Sequence, residues 1–271
     1  MVARVTGVDG ATVKPALQSV TIALDILDTL SEHADLSLSD VARRVGVAKS
    51  TAHRTCSVLA TAGLLSRTDA GRYRLGLKLI EYGHLAAARS PVGEYALSLL
   101  VELRGALGET VQIGVSVGGD VVYVERVEGL KALRYASANS RRGPVHRSSA
   151  GKVLAAFVPG VLEARLAAGL PRSTGYTIVV PKLLCEEIER VRQRGYARSV
   201  EETEIGMSSL AVPVHATADK AGPAVAAISA VGPTSRLTGD LEAHHVSLLR
   251  GAARKLGDAL ERGEYRLPRR R

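Results

Sequence analysis

The segment Leu36–Lys78 constrains the fold more than any other stretch of this 271-residue chain. Its first half predicts a short helix capped by Ser39, a residue type whose hydroxyl can accept from a free N–H of the first turn. Gly46 follows at the end of that helix, where a left-handed conformation is favourable for glycine. A second helix follows a tight turn. Its apolar positions, at helical spacing, are Ala52, Cys56 and Leu59.

A basic β-hairpin is predicted directly after these helices, at Leu64–Leu75. Tyr73 alternates there with arginines, as in a half-buried strand. Helix, turn, helix and basic hairpin together indicate a winged helix-turn-helix, and double-stranded DNA as the partner. The alternative is a small helical hairpin with a solvated polar face. The side chains expected to reach phosphates or base edges are Arg43, Lys49, Ser50, Thr51, His53, Arg54, Arg67, Arg72 and Arg74.

The charge of the chain is concentrated in this same region. Residues 41–78 contain eight lysines and arginines and one acidic residue, an excess of seven positive charges. Residues 1–40 carry two basic and six acidic residues, an excess of four negative charges. Within a formal net charge of +9, the positive part lies where the motif would meet a phosphate backbone.

The remaining composition excludes several classes of protein. No window of the sequence holds 18 apolar residues, so we expect no membrane-spanning helix and no membrane-surface protein. The first 18 residues lack the apolar core of a signal peptide, so we expect a cytoplasmic protein. Cys56 and Cys185, the two cysteines, form no metal-binding spacing and are expected to be small core residues. We therefore expect no metal and no cofactor.

The apolar pattern predicts two domains. A first helix is expected through Val20, Ala23, Leu27 and Leu30. After the hairpin, helices and short strands joined by hairpins predict an α+β domain on an antiparallel sheet. Its expected strands are Thr110–Val117, Val121–Val127, Leu133–Ser137, Ser208–Val214 and Val225–Val231. The predicted parts are an arm (1–16), the winged helix-turn-helix (17–77), a linker helix (78–92), the second domain (93–262) and a basic tail (263–271).

Several separate motifs resemble, in order, segments of the IclR-family transcriptional regulators. They are VAKSTAHR, GRYRLGLKL, GETVQIGV, VVYVERVEG, GPVHRSSAGKVLAAF, GYARSVEETEIGMSSLAVPV and AISAVGPTSRLT. The resemblance implies an N-terminal winged helix-turn-helix and a C-terminal effector-binding domain with a GAF-like or profilin-like sheet. It also implies homodimers or tetramers that bind a pseudo-palindromic operator. Members repress or activate genes, commonly for catabolism of small organic acids or aromatic compounds, and we expect this chain to be a repressor.

The resemblance also places an effector pocket in the second domain. The family usually has two aspartates where this chain has Ser199 and Val200, and a bulky residue where it has Gly143. A roomier, less acidic pocket is therefore expected, suited to a carboxylate or aromatic acid. Carried over by motif, its lining is Tyr135, Gly143, Ser149, Ala150, Met207, Ser209, Ser229 and Val231. His146 either lines this pocket or holds its loop.

Two rival functions follow from other features. Ser149 and Lys152 fit the Ser-x-x-Lys pattern of serine hydrolases. Ser137-Ala-Asn139 resembles a second element of that set, but it lies upstream rather than downstream, and no Lys-Thr-Gly follows. We prefer a helix start that can hold an anion, and hence no catalytic residue. The second rival is a nucleoid-type protein that binds DNA without sequence preference. Glu201, Glu202 and Glu204 are expected to form a solvated acidic turn, and His244 and His245 to lie on the surface.

Overall fold

The computed structural model describes residues 17–88, 93–130, 141–216 and 222–262. The chain divides into two compact units, Met1–Arg89 and Ser90–Arg271. Along the described ranges, no helix is both long and apolar enough to cross a membrane.

The first unit consists of helices and one small hairpin. Its strands are antiparallel, with Ser66 opposite Arg74. The order of helix, tight turn, helix and hairpin is that of a winged helix-turn-helix, which confirms the predicted fold of this part. Its elements are α1 (Gln18–Ser31), α2 (Leu38–Val45), α3 (Lys49–Thr61), β1 (Leu65–Arg67), β2 (Tyr73–Leu75) and α4 (Lys78–Ala88).

The core of the first unit lies between α1–α3 and the hairpin. The predicted face of α3 is confirmed, because its buried residues are the three expected ones. The predicted face of α1 is confirmed for Leu30, which is buried, and for Ala23 and Leu27, which pack against the core, but is wrong for Val20, which is 51% exposed. The most buried line of this helix is Ile22, Ile26 and Leu30, which follow one another at intervals of four.

Helix α2 begins at a different cap from the one predicted. The N-cap is Ser37, whose Oγ accepts from the Asp40 N–H at 3.2 Å and donates to Asp40 Oδ2 at 2.6 Å. This hydrogen bond lowers the pKa of Asp40. Ser39 lies inside the helix, because Leu36 is held extended by two backbone hydrogen bonds to Tyr73 of 2.8 and 2.9 Å. The helix can begin only after that bridge.

The second unit is built on a six-stranded antiparallel sheet in the order β5-β4-β3-β8-β7-β6. The predicted α+β class is therefore confirmed. A 3₁₀ turn, Val145–Arg147, joins β5 to α6. The elements are α5 (Gly93–Leu107), β3 (Thr110–Val117), β4 (Asp120–Val127), β5 (Arg142–Pro144), α6 (Ser149–Phe157), α7 (Val161–Ala168), α8 (Pro181–Arg194), β6 (Ala197–Val200), β7 (Met207–His215), β8 (Ala224–Pro233), α9 (Thr234–Leu237) and α10 (Glu242–Glu261).

Helices cover both faces of this sheet. Side chains alternate between two cores: on β8, Ile228 packs with residues of α5 and α10, whereas its neighbour Ala227 packs with residues of α6 and α8. The face under α6 carries small residues such as Ala211, so the helix can approach the strands closely. This placement brings the N-terminus of α6 to the sheet.

Three sequence predictions and two unpredicted strands of the second unit need comment. The strand predicted at Leu133–Ser137 lies outside the described residues, and β5 and β6 were not predicted. Cys185 is exposed rather than buried, because the inner face of α8 is formed by Leu184 and Ile188. His245 is buried rather than on the surface, because it shares the inner face of α10 with Leu249.

Candidate nucleic-acid interface and ligand pocket

The outward face of α3 is polar and accessible. Lys49, Ser50, His53 and Arg54 are exposed, and Thr51 is half-buried. The apolar face of the same helix is held in the core, so these side chains occupy one continuous outer surface of the first unit. On α2, Arg43 is also exposed and forms an ion pair with Asp40 on the preceding turn.

The three arginines of the hairpin have different surroundings. Arg67 and Arg74 are exposed; Arg67 Nε donates to Gly71 O at 3.3 Å and Arg74 Nε to Ser66 Oγ at 3.0 Å. Arg72 is half-buried and bonds Asp35 through both its carboxylate and its carbonyl. Arg72 therefore fastens the hairpin to the segment before α2, and the more accessible cations of the hairpin are the other two.

The strand register of the second unit builds one wall of a pocket. Gln112 lies opposite both Arg126 and Ser229, and Ser209 lies opposite both Ser199 and Val231. Residues opposite one another in an antiparallel pair project from the same face of the sheet. This face is the one covered by α6, and the pocket opens between the strands and the start of that helix.

The described lining of this pocket is dominated by polar and cationic side chains. The cavity measures about 90 Å³. An engineered protein cavity that binds benzene measures about 150 Å³, so this cavity is the smaller of the two. The lining comprises Gln112, Val121, Tyr123, Arg126, Arg142, Gly143, Pro144, Arg147, Ser148, Ser199, Thr203, Met207, Ser208, Ser209 and Val231.

The start of α6 is held by serine side chains at the edge of the pocket. Ser148 is the N-cap, and its Oγ accepts from the Gly151 N–H at 3.1 Å. The Ser149 N–H donates to Ser209 Oγ at 3.3 Å. The side chains of Ser149 and Ala150 are fully buried behind this contact. The first-turn N–H groups are thus largely used inside the protein.

The charge of the lining is positive. Arg126, Arg142 and Arg147 contribute guanidinium groups, and the described lining contains no aspartate or glutamate. Glu128 and Asp120, which lie outside the lining, pair with Arg126 and Arg142. Burial lowers the pKa of Arg147, yet an arginine stays protonated at neutral pH. The Arg147 carbonyl accepts from Ser199 Oγ at 2.9 Å and from Thr203 Oγ1 at 2.8 Å. Such a site favours an anion.

Half of the predicted effector residues line the pocket. Gly143, Met207, Ser209 and Val231 do so. Ser149, Ala150 and Ser229 are fully buried outside the lining. Tyr135 lies outside the described residues. The sequence reasoning missed the three arginines and Gln112; the run Arg141–Arg142 just before Gly143, and Arg147 just after the loop, was the available signal.

His146 holds the pocket loop and does not line the cavity. It is fully buried, and its Nε2 donates to Pro171 O at 3.0 Å. Burial lowers the pKa of this imidazole, and the nearby cations lower it further. The alternative of a loop-fixing role is the one the structure shows.

A serine–lysine catalytic pair is not assembled at the start of α6. Within the described part of the chain, Ser149 Oγ has no hydrogen-bond partner, so Lys152 is not in contact with it. Lys152 Nζ instead bonds Glu202 Oε1 and, at 3.3 Å, Arg198 O. Glu202 is 7% exposed, so the prediction of a fully solvated acidic turn is wrong for this residue.

Comparison with known proteins accounts for both units. The profile of the IclR helix-turn-helix domain matches residues 19–69, and that of the bacterial transcriptional regulator IclR C-terminal domain matches residues 84–258. The chain belongs to the IclR family. One family member, the HTH-type transcriptional regulator XynR of Escherichia coli K12, is 37% identical over 209 residues, which are 74% of this chain and 81% of XynR.

Solved IclR structures share the architecture. The Thermotoga maritima IclR structure has a TM-score of 0.67 and 30% identity, and the comparison covers 90% of this chain and 99% of that one. An IclR homologue from Microbacterium hydrocarbonoxydans, crystallised with 4-hydroxybenzoate, has a TM-score of 0.75 and 28% identity over the same shares. This IclR-family chain is thus similar to DNA-binding transcriptional regulators rather than to enzymes, and some such regulators bind small ligands.

Proposed function

We propose that the chain is a ligand-responsive repressor of a catabolic operon, and that its effector is a small carboxylate. The single observation that carries the ligand class is the cationic pocket, in which three arginines and no described acidic side chain face one cavity. Ionised carboxylates form strong, directional hydrogen bonds with guanidinium groups.

The size of the cavity favours a short acid. A volume of about 90 Å³ is below the roughly 150 Å³ that holds benzene, so an aromatic acid requires the pocket to widen. Short aliphatic acids should therefore bind without rearrangement, and benzoate-sized acids with it.

In the proposed DNA complex, α3 enters the major groove. Lys49, Ser50, His53 and Arg54 lie on its exposed face, with Thr51 half-buried beside them, and the N-terminal part of a recognition helix is the part that meets base edges. Arg67 and Arg74, on the hairpin, contact the sugar-phosphate backbone of the DNA. Arg43 lies on α2 beside this surface. Arg72 holds the hairpin to Asp35, in addition to any contact with a DNA phosphate.

The proposed DNA-bound form is a dimer, or a tetramer built from dimers. The first unit exposes large apolar side chains that a second copy could cover: Val58 is 64%, Leu77 81%, Ile80 56% and Leu85 45% exposed. A dimer presents two recognition helices. Its operator should be a pseudo-palindrome with half-sites about one helical turn apart, or a multiple of that.

The ligand would act by favouring one arrangement of the paired DNA-binding units. Such coupling requires that the acid bind one arrangement better than the other, and DNA then changes the affinity for the acid by the same factor. A reporter gene placed behind the promoter of the gene that encodes this chain should be repressed by the protein. Its expression should rise when the acid is added.

Two titrations test the proposal. A thermal-shift screen of acetate, succinate, benzoate and 4-hydroxybenzoate should raise the melting temperature, because a ligand that binds only the folded protein stabilises it. Uncharged amides of the same shape are the matched controls and should have no effect. Fluorescence anisotropy should then show that the protein binds the DNA upstream of its own gene more tightly than a duplex with the same bases in scrambled order. Equal affinity for the two duplexes would contradict sequence-specific regulation.

A further inference from the structure

The segment Glu201–Met207 connects β6 to β7 and forms part of the pocket wall. Thr203 and Met207 line the cavity. Glu201 has a φ of +57°, a conformation that a residue with a side chain adopts only when its surroundings enforce it. Something in the structure must therefore hold this segment in place.

Several hydrogen bonds fasten the segment from outside. Thr174 Oγ1 donates to Glu201 O and Thr177 Oγ1 to Glu202 O, both at 2.7 Å. Thr203 Oγ1 donates to the Arg147 carbonyl. All these bonds join uncharged groups, and the bond from Thr177 is buried. They set the position of the backbone but use no charge.

The contact between Lys152 and Glu202 differs from these bonds because it joins two charged groups. Lys152, 1% exposed, projects from α6 and bonds Glu202 Oε1 and the Arg198 carbonyl. Neither Lys152 nor Glu202 lines the cavity. The pair joins the helix that borders the pocket on one side to the segment that borders it on the other. Removing one partner of a buried pair leaves an uncompensated charge, which the protein relieves by opening.

We propose that the Lys152–Glu202 pair is a latch that holds Glu201–Met207 against α6, so that both residues position the effector pocket without touching the ligand. This inference rests on the proposed function only where it concerns the effector. The placement of the segment itself can be measured without any ligand.

The first experiment follows hydrogen exchange in the full-length protein. Lys152→Met keeps the length of the side chain and removes its charge. Amides of residues 201–207 should exchange at least ten-fold faster than in the wild type, as expected for local opening. Lys255→Met is the matched control, since Lys255 forms an exposed pair with Glu102 at 2.6 Å. It should leave this segment unchanged.

A double variant separates positioning from stability. Lys152→Met combined with Glu202→Gln removes both charges, and such replacements are often neutral for stability. This protein should unfold at nearly the wild-type denaturant concentration, yet still exchange faster at residues 201–207. If Lys152→Met fails to fold, the double variant still tests whether the Lys152–Glu202 pair positions residues 201–207. A stable double variant with wild-type exchange in this segment would overturn the latch.

The pH dependence gives a second signature. Burial raises the pKa of Glu202, the nearby Glu187 raises it further, and Lys152 opposes both. Without Lys152 this pKa rises again, so Lys152→Met loses most stability at pH values above it, and the deficit shrinks as the pH falls and Glu202 takes up a proton. His146 also feels Lys152. The double variant keeps His146 but lacks the Glu202 carboxyl. The pH-dependent part of the stability deficit that is due to Glu202 should therefore be absent in the double variant. A deficit in Lys152→Met that is the same at pH 5 and pH 8 would contradict the pairing.

The last arm measures effector binding. For whichever of acetate, succinate, benzoate and 4-hydroxybenzoate stabilises the wild type, the double variant should bind at least five-fold more weakly and Lys255→Met equally well. Unchanged affinity in the double variant would show that the latch does not position the pocket. If none of the four acids binds the wild type, the proposed ligand class is wrong, whereas the exchange rates still decide whether the latch exists.

Discussion

Gly151 is the position at which one added methyl group should disturb the pocket most. It lies in the first turn of α6, packed against the 3₁₀ turn that carries Arg147. A Cβ at Gly151 would lie 2.3 Å from Val145 O and 2.4 Å from Val145 Cα. Non-bonded carbon atoms settle about 3.5–4.0 Å apart, so helix and turn would have to separate by about 1 Å.

The expected loss of stability in Gly151→Ala follows from two opposing effects. Overpacking a tight interior costs about 1–3 kcal/mol, and the upper end applies because the obstructing atoms are backbone. The better helix propensity of alanine returns about 1 kcal/mol. A net loss of about 2 kcal/mol lowers the melting temperature of a unit this size by roughly 4–8 °C.

The matched control is Gly251→Ala, also in a helix interior. A Cβ at Gly251 meets nothing within 4 Å, so the same substitution should there stabilise by about 0.4–1 kcal/mol. Thermal unfolding of both variants by circular dichroism tests the pair. Opposite signs are expected. If Gly151→Ala melts at or above the wild-type temperature, the close packing of α6 on the 3₁₀ turn is not the constraint described above.

Three further results are expected. Arg54→Ala should weaken operator binding by about 1–3 kcal/mol if it reads a base edge, whereas Arg74→Ala should weaken operator and scrambled duplex alike; wild-type affinity in both would refute the assigned surface. Ser209→Leu should fill the pocket and abolish the thermal shift by acids while DNA affinity is kept; an unchanged ligand midpoint would place the pocket elsewhere. Burial raises the pKa of Cys56 to about 11, and Cys185 is exposed, so a thiol reagent at pH 8 should modify one cysteine per native chain; rapid modification of two would contradict the packing of α3.

The helix-turn-helix and the polar outer face of α3 could be predicted from the sequence because their signals are local. The apolar spacing of α3 and the glycine after α2 act within a few residues of one another, and Gly46 has the expected left-handed φ of +73°. The errors in the same region come from distant contacts. Ser37 rather than Ser39 caps α2 because Leu36 pairs with Tyr73 across the hairpin. The sequence pattern around α2 does not indicate that Leu36 pairs with Tyr73.

The pocket was harder to predict because it is assembled from remote segments. Arg126 lies on β4, Arg142 on β5 and Arg147 in the turn before α6, and only the strand order brings them to one cavity. The motif carried over from the family pointed to the loop and the late strands, and residues of both line this cavity. It could not show that Ser229 faces inward beneath the lining, since that depends on how closely α6 approaches the sheet.

The arrangement of charges separates groups that can bind from groups that hold the fold. Arg142 pairs with Asp120 at 2.9 Å and Arg126 with Glu128 at 2.8 Å. Glu128 is 65% exposed, and ion pairs with an exposed partner contribute about 0–1 kcal/mol, so a ligand carboxylate can replace Glu128 beside Arg126 at little cost. Asp120 is 25% exposed and also pairs with the buried Arg165 at 3.0 Å, so it stays in place. The Lys152–Glu202 pair is buried, and breaking such a pair strands a charge in the interior. An acid that binds as proposed should therefore exchange partners with Glu128 at the rim of the pocket and leave the Lys152–Glu202 pair beneath it intact.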